Sequence, residues 1–400
     1  MSTSPPSHPK GASTRLIRAG AAEGQDSTVR TVGPSLQRAS TVILPDAAAL
    51  YDESRPTYGM NSMAVHDALR AGLCDLEHAS HVELFSSGLS ACTGAIMSVV
   101  QAGDEILVTD CVYGPTRRFC DGVLKRFGVA TRYMPAAASA EEIEAMVTDA
   151  TRLIVLESPG SVSFEMQDVP AIAAMARRRG VLTMVDNTWA AGLLFRPLDH
   201  EVDLSVQALT KYVCGHSDVF LGSVATASPA VAARLKGFVR DTGGSISPDD
   251  AFQAVRGLKT MAVRLERHGA SGVKVAQWLT QRPEVARVLH PALPDNPGHA
   301  LWRRDFSGVC GLFGVVLKPT PDAAAEAFLN RLELFGLGFS WGGYESLAIV
   351  CIPQLKRTAE PLGLEGPLIR LHVGLEDPDD LIADLEAGFA AMAKSASPAV

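Results

Sequence analysis

Aromatic residues are scarce in this chain, at 6% of its 400 residues, and its cysteines show no metal-ligand spacing. Cys74, Cys92, Cys111, Cys120, Cys214, Cys310 and Cys351 are odd in number and scattered. That suits reduced thiols filling core space better than a disulfide framework. No apolar run reaches the roughly 18 residues that a membrane span needs. The opening Met-Ser-Thr-Ser-Pro-Pro lacks the apolar centre of a signal peptide. A basic stripe is missing as well. Net charge is −8, and the one dense basic run, Arg177-Arg178-Arg179, closes a helix-like segment, where cations suit the helix dipole. Neither nucleic acid nor a membrane is therefore expected as a partner, and a cytoplasmic location is. No G-x-G-x-x-G follows a strand, which excludes a Rossmann dehydrogenase, and no internal repeat is visible.

What is present is a globular composition, 47% hydrophobic and 20% charged, on a chain long enough for two domains. The first dozen residues read as a tail, and residues 41–44 as a short strand in a weakly periodic stretch. Leu69, Leu73 and Leu76 place one apolar face on a helix over 63–78. Apolar strands then alternate with helices. Strands are expected at 82–85, 105–109, 129–134, 152–156, 181–186, 204–207 and 219–227. Helices are expected after Gly88, over 119–127 and 141–147, and from Pro170. Several of these strands are apolar throughout, which indicates an α/β fold with a mainly parallel sheet and helices on both faces. A long helical region from 249 to about 281 marks a change of pattern. Strands at 311–317, 347–352 and 368–373, with helices at 323–334 and 379–392, describe a smaller α+β C-terminal domain. The expected division is an N-terminal arm over 1–60, an α/β domain over 61–250 and the C-terminal domain over 251–400.

One stretch organises the rest: Leu204-Ser-Val-Gln-Ala-Leu-Thr-Lys-Tyr-Val-Cys-Gly-His-Ser-Asp218. A lysine at the end of a buried strand is costly to desolvate unless it is paired or its pKa falls. That cost becomes useful when the amine must attack a carbonyl. Asp186, closing Val181-Leu-Thr-Met-Val-Asp186, precedes Lys211 by 25 residues, enough for a strand–connection–strand unit. Such a lysine and aspartate are what pyridoxal 5′-phosphate (PLP) requires: an imine partner and an anion for its pyridine nitrogen. Ser86-Ser-Gly88 lies where a helix N-terminus favours phosphate, and Tyr113 offers a ring to stack on the pyridine. Taken singly, the Ser86-Ser-Gly88 turn has an ordinary reading as an N-cap, and the lysine and aspartate as strand ends with a surface ion pair. Together they converge beyond the carboxyl ends of parallel strands, where ligands of such sheets bind.

On these residues the chain resembles the Cys/Met-metabolism family of fold-type I PLP-dependent enzymes, and most of all its bacterial cystathionine β-lyase branch. The resemblance covers roughly residues 35–395. Its motifs are Leu156-Glu-Ser-Pro-Gly-Ser161, Val185-Asp-Asn-Thr-Trp-Ala-Ala-Gly192, Gln207-Ala-Leu-Thr-Lys-Tyr212, Gly215-His-Ser-Asp218, Phe339-Ser-Trp-Gly-Gly-Tyr-Glu-Ser346 and Ile369-Arg-Leu-His-Val-Gly-Leu-Glu-Asp377. It implies that Lys211 carries PLP and moves the Cα proton, that Asp186 faces the pyridine nitrogen and that Tyr113 stacks on the ring. Gly88, Leu89 and Thr210 would hold the phosphate, joined by Tyr58 of a neighbouring subunit. Arg370 would clamp the substrate carboxylate, with Ser340 and Trp341 beside it.

The implied activity is α,β-elimination from a sulfur amino acid, cystathionine above all, giving homocysteine, pyruvate and ammonia. The implied assembly is a homodimer with shared sites, pairing into a homotetramer. A broader cysteine-S-conjugate lyase, a γ-acting relative and a non-catalytic regulator of the same fold are the alternatives. Ala208, where many family members have serine, agrees with the β-lyase branch. Three positions depart from the pattern. Met60 stands where an arginine is frequent, Asn61 where relatives can be basic and Phe339 where they can have tyrosine. Arg118 is the nearest cation by sequence that could stand in for the arginine missing at Met60. His216 and His372 are expected to hold turns.

Overall fold

The computed structural model describes residues 11–18, 31–52, 54–60 and 62–396, so Asn61 and most of the expected tail lie outside the described residues. The chain runs α1 (Ala12–Arg18), α2 (Ala64–Glu77), β1 (His81–Phe85), α3 (Gly88–Val99), β2 (Glu105–Thr109), α4 (Gly114–Phe119), β3 (Ala130–Met134) and α5 (Ala140–Met146). It continues through β4 (Thr151–Glu157), α6 (Val169–Arg179), β5 (Leu182–Asp186), β6 (Leu204–Gln207) and β7 (Gly222–Thr226). The seven strands form one sheet in the order β1-β7-β6-β5-β4-β2-β3. All pairings are parallel except those of β7, which runs against both β1 and β6.

Strand periodicity explains the helices on both faces. Ile106, Val108, Leu153 and Val155 pack with Ala91, Ala95 and Ile96 of α3. The alternate residues Leu107, Ile154 and Leu156 belong to a second cluster, with Leu69 and Leu73 of α2 and Ile172 of α6. The helices begin where local chemistry supplies a cap. Ser139 accepts from Glu142 N at 3.2 Å and opens α5. Asp168 accepts from Ala171 N at 3.1 Å, with Pro170 in the first turn of α6. Gly180, at φ 66°, ends α6 after the arginine run.

Beyond the sheet come α7 (Pro229–Asp241), α8 (Pro248–Leu279), β8 (Val285–Leu289), α9 (His299–Asp305), β9 (Leu312–Leu317), α10 (Asp322–Arg331), β10 (Gly336–Leu337), β11 (Leu347–Val350), β12 (Leu368–His372) and α11 (Pro378–Ala396). A five-stranded sheet, β10-β11-β12-β9-β8, carries α10 and α11, whose Phe328 and Phe389 rings lie 4.7 Å apart. The 32-residue α8 serves both cores. Its residues from Ala251 to Leu265 join the main core, and Val275, Ala276 and Leu279 join the second.

Three expectations need correcting. Residues 41–44 form no strand; Thr41 makes an isolated bridge to Tyr58, and Ile43 is 90% exposed, with no sheet edge to complete. The helix expected over 119–127 begins earlier, at Gly114, because Pro115 suits a first turn, and passes into a π-helical turn over Cys120–Leu124. At the N-terminus, Ala12 already belongs to α1, whose Leu16 is buried.

Candidate active site

The site is built where β1, β2, β4, β5 and β6 end. After β6 the chain turns through Ala208 and Thr210 to Lys211. Its Nζ donates to Ser340 Oγ at 2.6 Å and lies 5.2 Å from the centre of the Trp341 ring. Burial, with the nearby charge of Arg370, lowers the Lys211 pKa to about 8, against a smaller opposing pull from Asp186. The turn after Trp341 approaches closely: a Cβ on Gly342, which sits at φ 87°, would come within 2.9 Å of Lys211 Cα. His372 is fully buried below that turn and accepts from Gly342 N at 3.1 Å. Burial pushes its pKa down to about 3, so the ring is neutral and props the turn.

Asp186 closes β5. One carboxylate oxygen, Oδ1, takes Thr188 N at 3.1 Å and Thr188 Oγ1 at 2.5 Å. The other, Oδ2, has only a Cys92 thiol at 3.5 Å. Burial raises the Asp186 pKa, with the Thr188 hydrogen bonds working against it. Glu157, which ends β4, pairs in register with Asp186, and its Oε2 accepts Tyr113 N at 2.7 Å. Burial first and Asp186 second hold the Glu157 carboxyl well above the usual range. Glu157 thus fixes the backbone of Tyr113, the residue before α4. Its motif had been noted in the sequence without a role for the side chain, although the same strand-end argument applies to it.

Ser87 caps α3 by accepting Ser90 N at 3.1 Å, leaving the N–H groups of Gly88 and Leu89 at the helix start. Gly88 must lack a side chain, because a Cβ there would meet Ala208 Cβ at 2.3 Å. Thr210 is less free than expected. Its hydroxyl donates to Leu221 O at 3.1 Å and accepts Leu221 N at 2.9 Å, so its one proton is already engaged.

Arg370 lies on β12, 8% exposed, and Nη2 donates to Ser340 O at 2.7 Å. Its Nε is buried without a partner, and no carboxylate pairs with it among the described residues. Burial lowers its pKa. Ser340 therefore joins both cations, through its hydroxyl to Lys211 and its carbonyl to Arg370, from a backbone held at φ 78°. That region is uncommon for a residue other than glycine.

Lys211, Tyr113, Gly88, Leu89, Asp186, Thr210, Ser340, Trp341 and Arg370 all line one cavity of about 700 Å³. Tyr58 does not. It is 47% exposed on the arm, and Met60 lines a separate cavity of about 640 Å³ with Arg55, Arg70 and Lys236. Residues that sequence reasoning missed are on the loop before β12. Asp110 accepts the backbone N–H groups of Thr358, Ala359 and Glu360 at 2.9–3.2 Å and thereby closes that loop over the cavity. His216 holds a turn, with Nδ1 2.7 Å from Cys214 O.

The donor set fits PLP: an amine of lowered pKa, a carboxylate with one open oxygen, two free N–H groups at a helix start and a buried arginine lacking a counter-ion. This fold and site define a fold-type I PLP-dependent enzyme. The family model for Cys/Met metabolism PLP-dependent enzymes matches residues 13–390, and the chain belongs to that family. A putative cystathionine β-lyase of Rhizobium johnstonii is 48% identical over 90% of this chain and 91% of its own length. Cystathionine β-lyase of Escherichia coli K12 is 40% identical over 94% and 98%. The solved cystathionine γ-synthase of Xanthomonas oryzae pv. oryzae, in complex with aminoacrylate and cysteine, superposes with a TM-score of 0.90 at 29% identity, covering 97% of this chain and all of that one.

Proposed function

We propose that the protein is a carbon–sulfur lyase of the cystathionine β-lyase type, splitting cystathionine into homocysteine, pyruvate and ammonia. The observation that carries this reading is the Ser340 bridge, which sets a lysine of lowered pKa beside an arginine with no counter-ion. Arg370 pins the substrate α-carboxylate with its unpaired Nε edge, a fork that lysine cannot reproduce. Lys211, neutral in a sizeable fraction near pH 8, takes the Cα proton and later returns one. Ser340 keeps Nζ aimed between uses. PLP, when bound, supplies a sink for the electrons left at Cα. Asp186 would offer the pyridine nitrogen its Oδ2, which now meets only the Cys92 thiol, Tyr113 would cover the ring, and the N–H groups of Gly88 and Leu89 would take the phosphate. Thr210 would have to turn its hydroxyl from Leu221 to join them.

Tyr58 stands away from its own cavity, which supports its use by a neighbouring subunit and hence a dimer with shared sites, pairing into a tetramer. A cytoplasmic location agrees with all seven cysteines being free.

Product analysis with L-cystathionine tests the reading. Homocysteine and pyruvate in equal amounts are expected. Cysteine and 2-oxobutyrate would instead assign a γ-acting enzyme, and no turnover with bound PLP would leave a regulator.

A further inference from the structure

Lys211 is held at its side chain by Ser340, and the backbone that carries it is held by α8. The turn after the lysine closes where Gly215 N donates to Lys211 O at 2.7 Å. Gly215 sits at φ 69°, and a Cβ there would come within 2.0 Å of Arg264 Nη1, so its backbone lies directly against the guanidinium. Arg264 Nη2 donates to Val213 O at 3.4 Å and to Gly257 O at 2.8 Å, while Nε donates to Thr260 Oγ1 at 3.2 Å. Gly257, on the same face of α8, permits this approach, because a Cβ there would meet Val213 O at 2.1 Å. Arg264 is 6% exposed, no carboxylate pairs with it among the described residues, and its Nη1 has no acceptor. Burial lowers its pKa to about 10, so it keeps its charge at neutral pH. A buried cation without a counter-ion costs stability, and an apolar side chain of similar length would fill the space more favourably. An apolar side chain could not hold a carbonyl oxygen of the turn.

We propose that Arg264 is a positioning residue for Lys211: its guanidinium braces the turn over 211–215 and so fixes the direction from which the amine reaches its target. The chain of contacts is short. Arg264 holds Val213 O and backs Gly215, and Gly215 N holds Lys211 O. Tyr212, next to the lysine, is fixed from the same helix, with its ring 5.4 Å from that of His268 and its hydroxyl accepting Gly311 N at 3.2 Å. Ser340 can steady Nζ only if the backbone beneath it stays in place. A small displacement there misplaces the amine relative to the Cα proton, and reaction rates fall steeply with such misplacement. The inference rests on the reading of Lys211 as the cofactor-bearing base.

The test compares wild type with Arg264→Met, Arg264→Lys, Thr260→Val and Ser271→Ala. Ser271 is buried on α8 about two turns beyond Arg264 and serves as the control for a general loosening of the helix. Two readouts report on Lys211 itself. One is the rate of PLP capture by apoenzyme; the other is exchange of the α-hydrogen of L-alanine by holoenzyme in D2O, which needs proton transfer but no C–S cleavage. Arg264→Met is expected to slow both about tenfold, the size of one lost charge-assisted hydrogen bond, with little change in KM for L-cystathionine. Arg264→Lys should recover part of the loss, since an ammonium can still reach one carbonyl. Thr260→Val frees Nε but keeps the charge; it should show a smaller loss in the same direction, and it decides the matter if Arg264→Met does not fold. Ser271→Ala should match wild type. Wild-type rates of capture and exchange in Arg264→Met, or in Thr260→Val where the former is unfolded, would overturn the proposal, and so would an equal loss in Ser271→Ala. A wild type that exchanges the α-hydrogen but releases no pyruvate from cystathionine would overturn the lyase reading alone, leaving the Arg264 comparison intact.

Discussion

Arg370, in the role proposed for it, would define the substrate class with one side chain. A guanidinium taken out of water with one edge unpaired is costly unless an anion arrives to meet it. Arg370→Lys keeps the charge but loses the fork. It is expected to reduce kcat/KM by one to two decades, from roughly 1.5–3 kcal/mol per charged hydrogen bond. Steady-state kinetics beside a spectrum of bound cofactor would separate this from loss of PLP.

Lys211 makes a second statement at this scale. Its pKa is depressed to about 8, so the amine is protonated below that pH and neutral above it. Only the neutral amine attacks an aldehyde. Capture of PLP by the apoenzyme should therefore quicken as pH rises and level off above about 8. Arg370→Gln removes a positive neighbour and should move that midpoint upward. Stopped-flow spectra across the pH range would record both, and a flat profile would contradict the assignment.

Among the elements, the loop before β12 depends on a single buried carboxylate. Asp110, 1% exposed, pairs with buried Arg117 and gathers three backbone N–H groups of the loop. Asp110→Ala leaves the arginine unpaired and should cost about 3–5 kcal/mol of stability, the usual cost of breaking a buried pair. KM should also rise as the loop loosens. Thermal unfolding with parallel kinetics checks this; a Tm unchanged from wild type would show that the loop is held otherwise.

The elements also mark how far the sequence could be read. Strands such as Leu153–Leu156 are apolar on both faces, so their burial in a parallel sheet was legible, as were the helices opened by Ser139 and Pro170. The convergence of Asp186 and Lys211 was legible because strand ends and their spacing encode it, whereas Arg370 came in only through the family resemblance; all three line one cavity. The role of Asp110 was not legible. Its partners are backbone groups about 250 positions away, and no side-chain pattern announces such a contact. The engagement of Thr210 with Leu221 was hidden for the same reason. The short strand expected at 41–44 failed because β-branched residues favour strands only where a partner edge exists.

At the scale of the whole molecule, the cavity is furnished by both sheets. The larger contributes the lysine and the aspartate, and the smaller contributes Ser340, Trp341 and Arg370. The arm, by contrast, keeps Tyr58 away from its own cavity. If Tyr58 serves a neighbour, a Tyr58→Ala protein and a Lys211→Ala protein, each nearly inactive, should regain activity when unfolded together and refolded as a mixture. A hybrid dimer then holds one site with both residues intact. No recovery, with hybrids verified by mass, would confine Tyr58 to its own subunit.

The central claim, that Lys211 is the cofactor-bearing base, meets its sharpest test in a rival within the same cavity. Lys356 lines that space too and is the more exposed amine. Borohydride reduction of the holoenzyme, digestion and mass mapping would decide between them. The account requires the PLP-derived mass on the peptide containing Lys211; finding it on the peptide containing Lys356, or on no lysine at all, would contradict it.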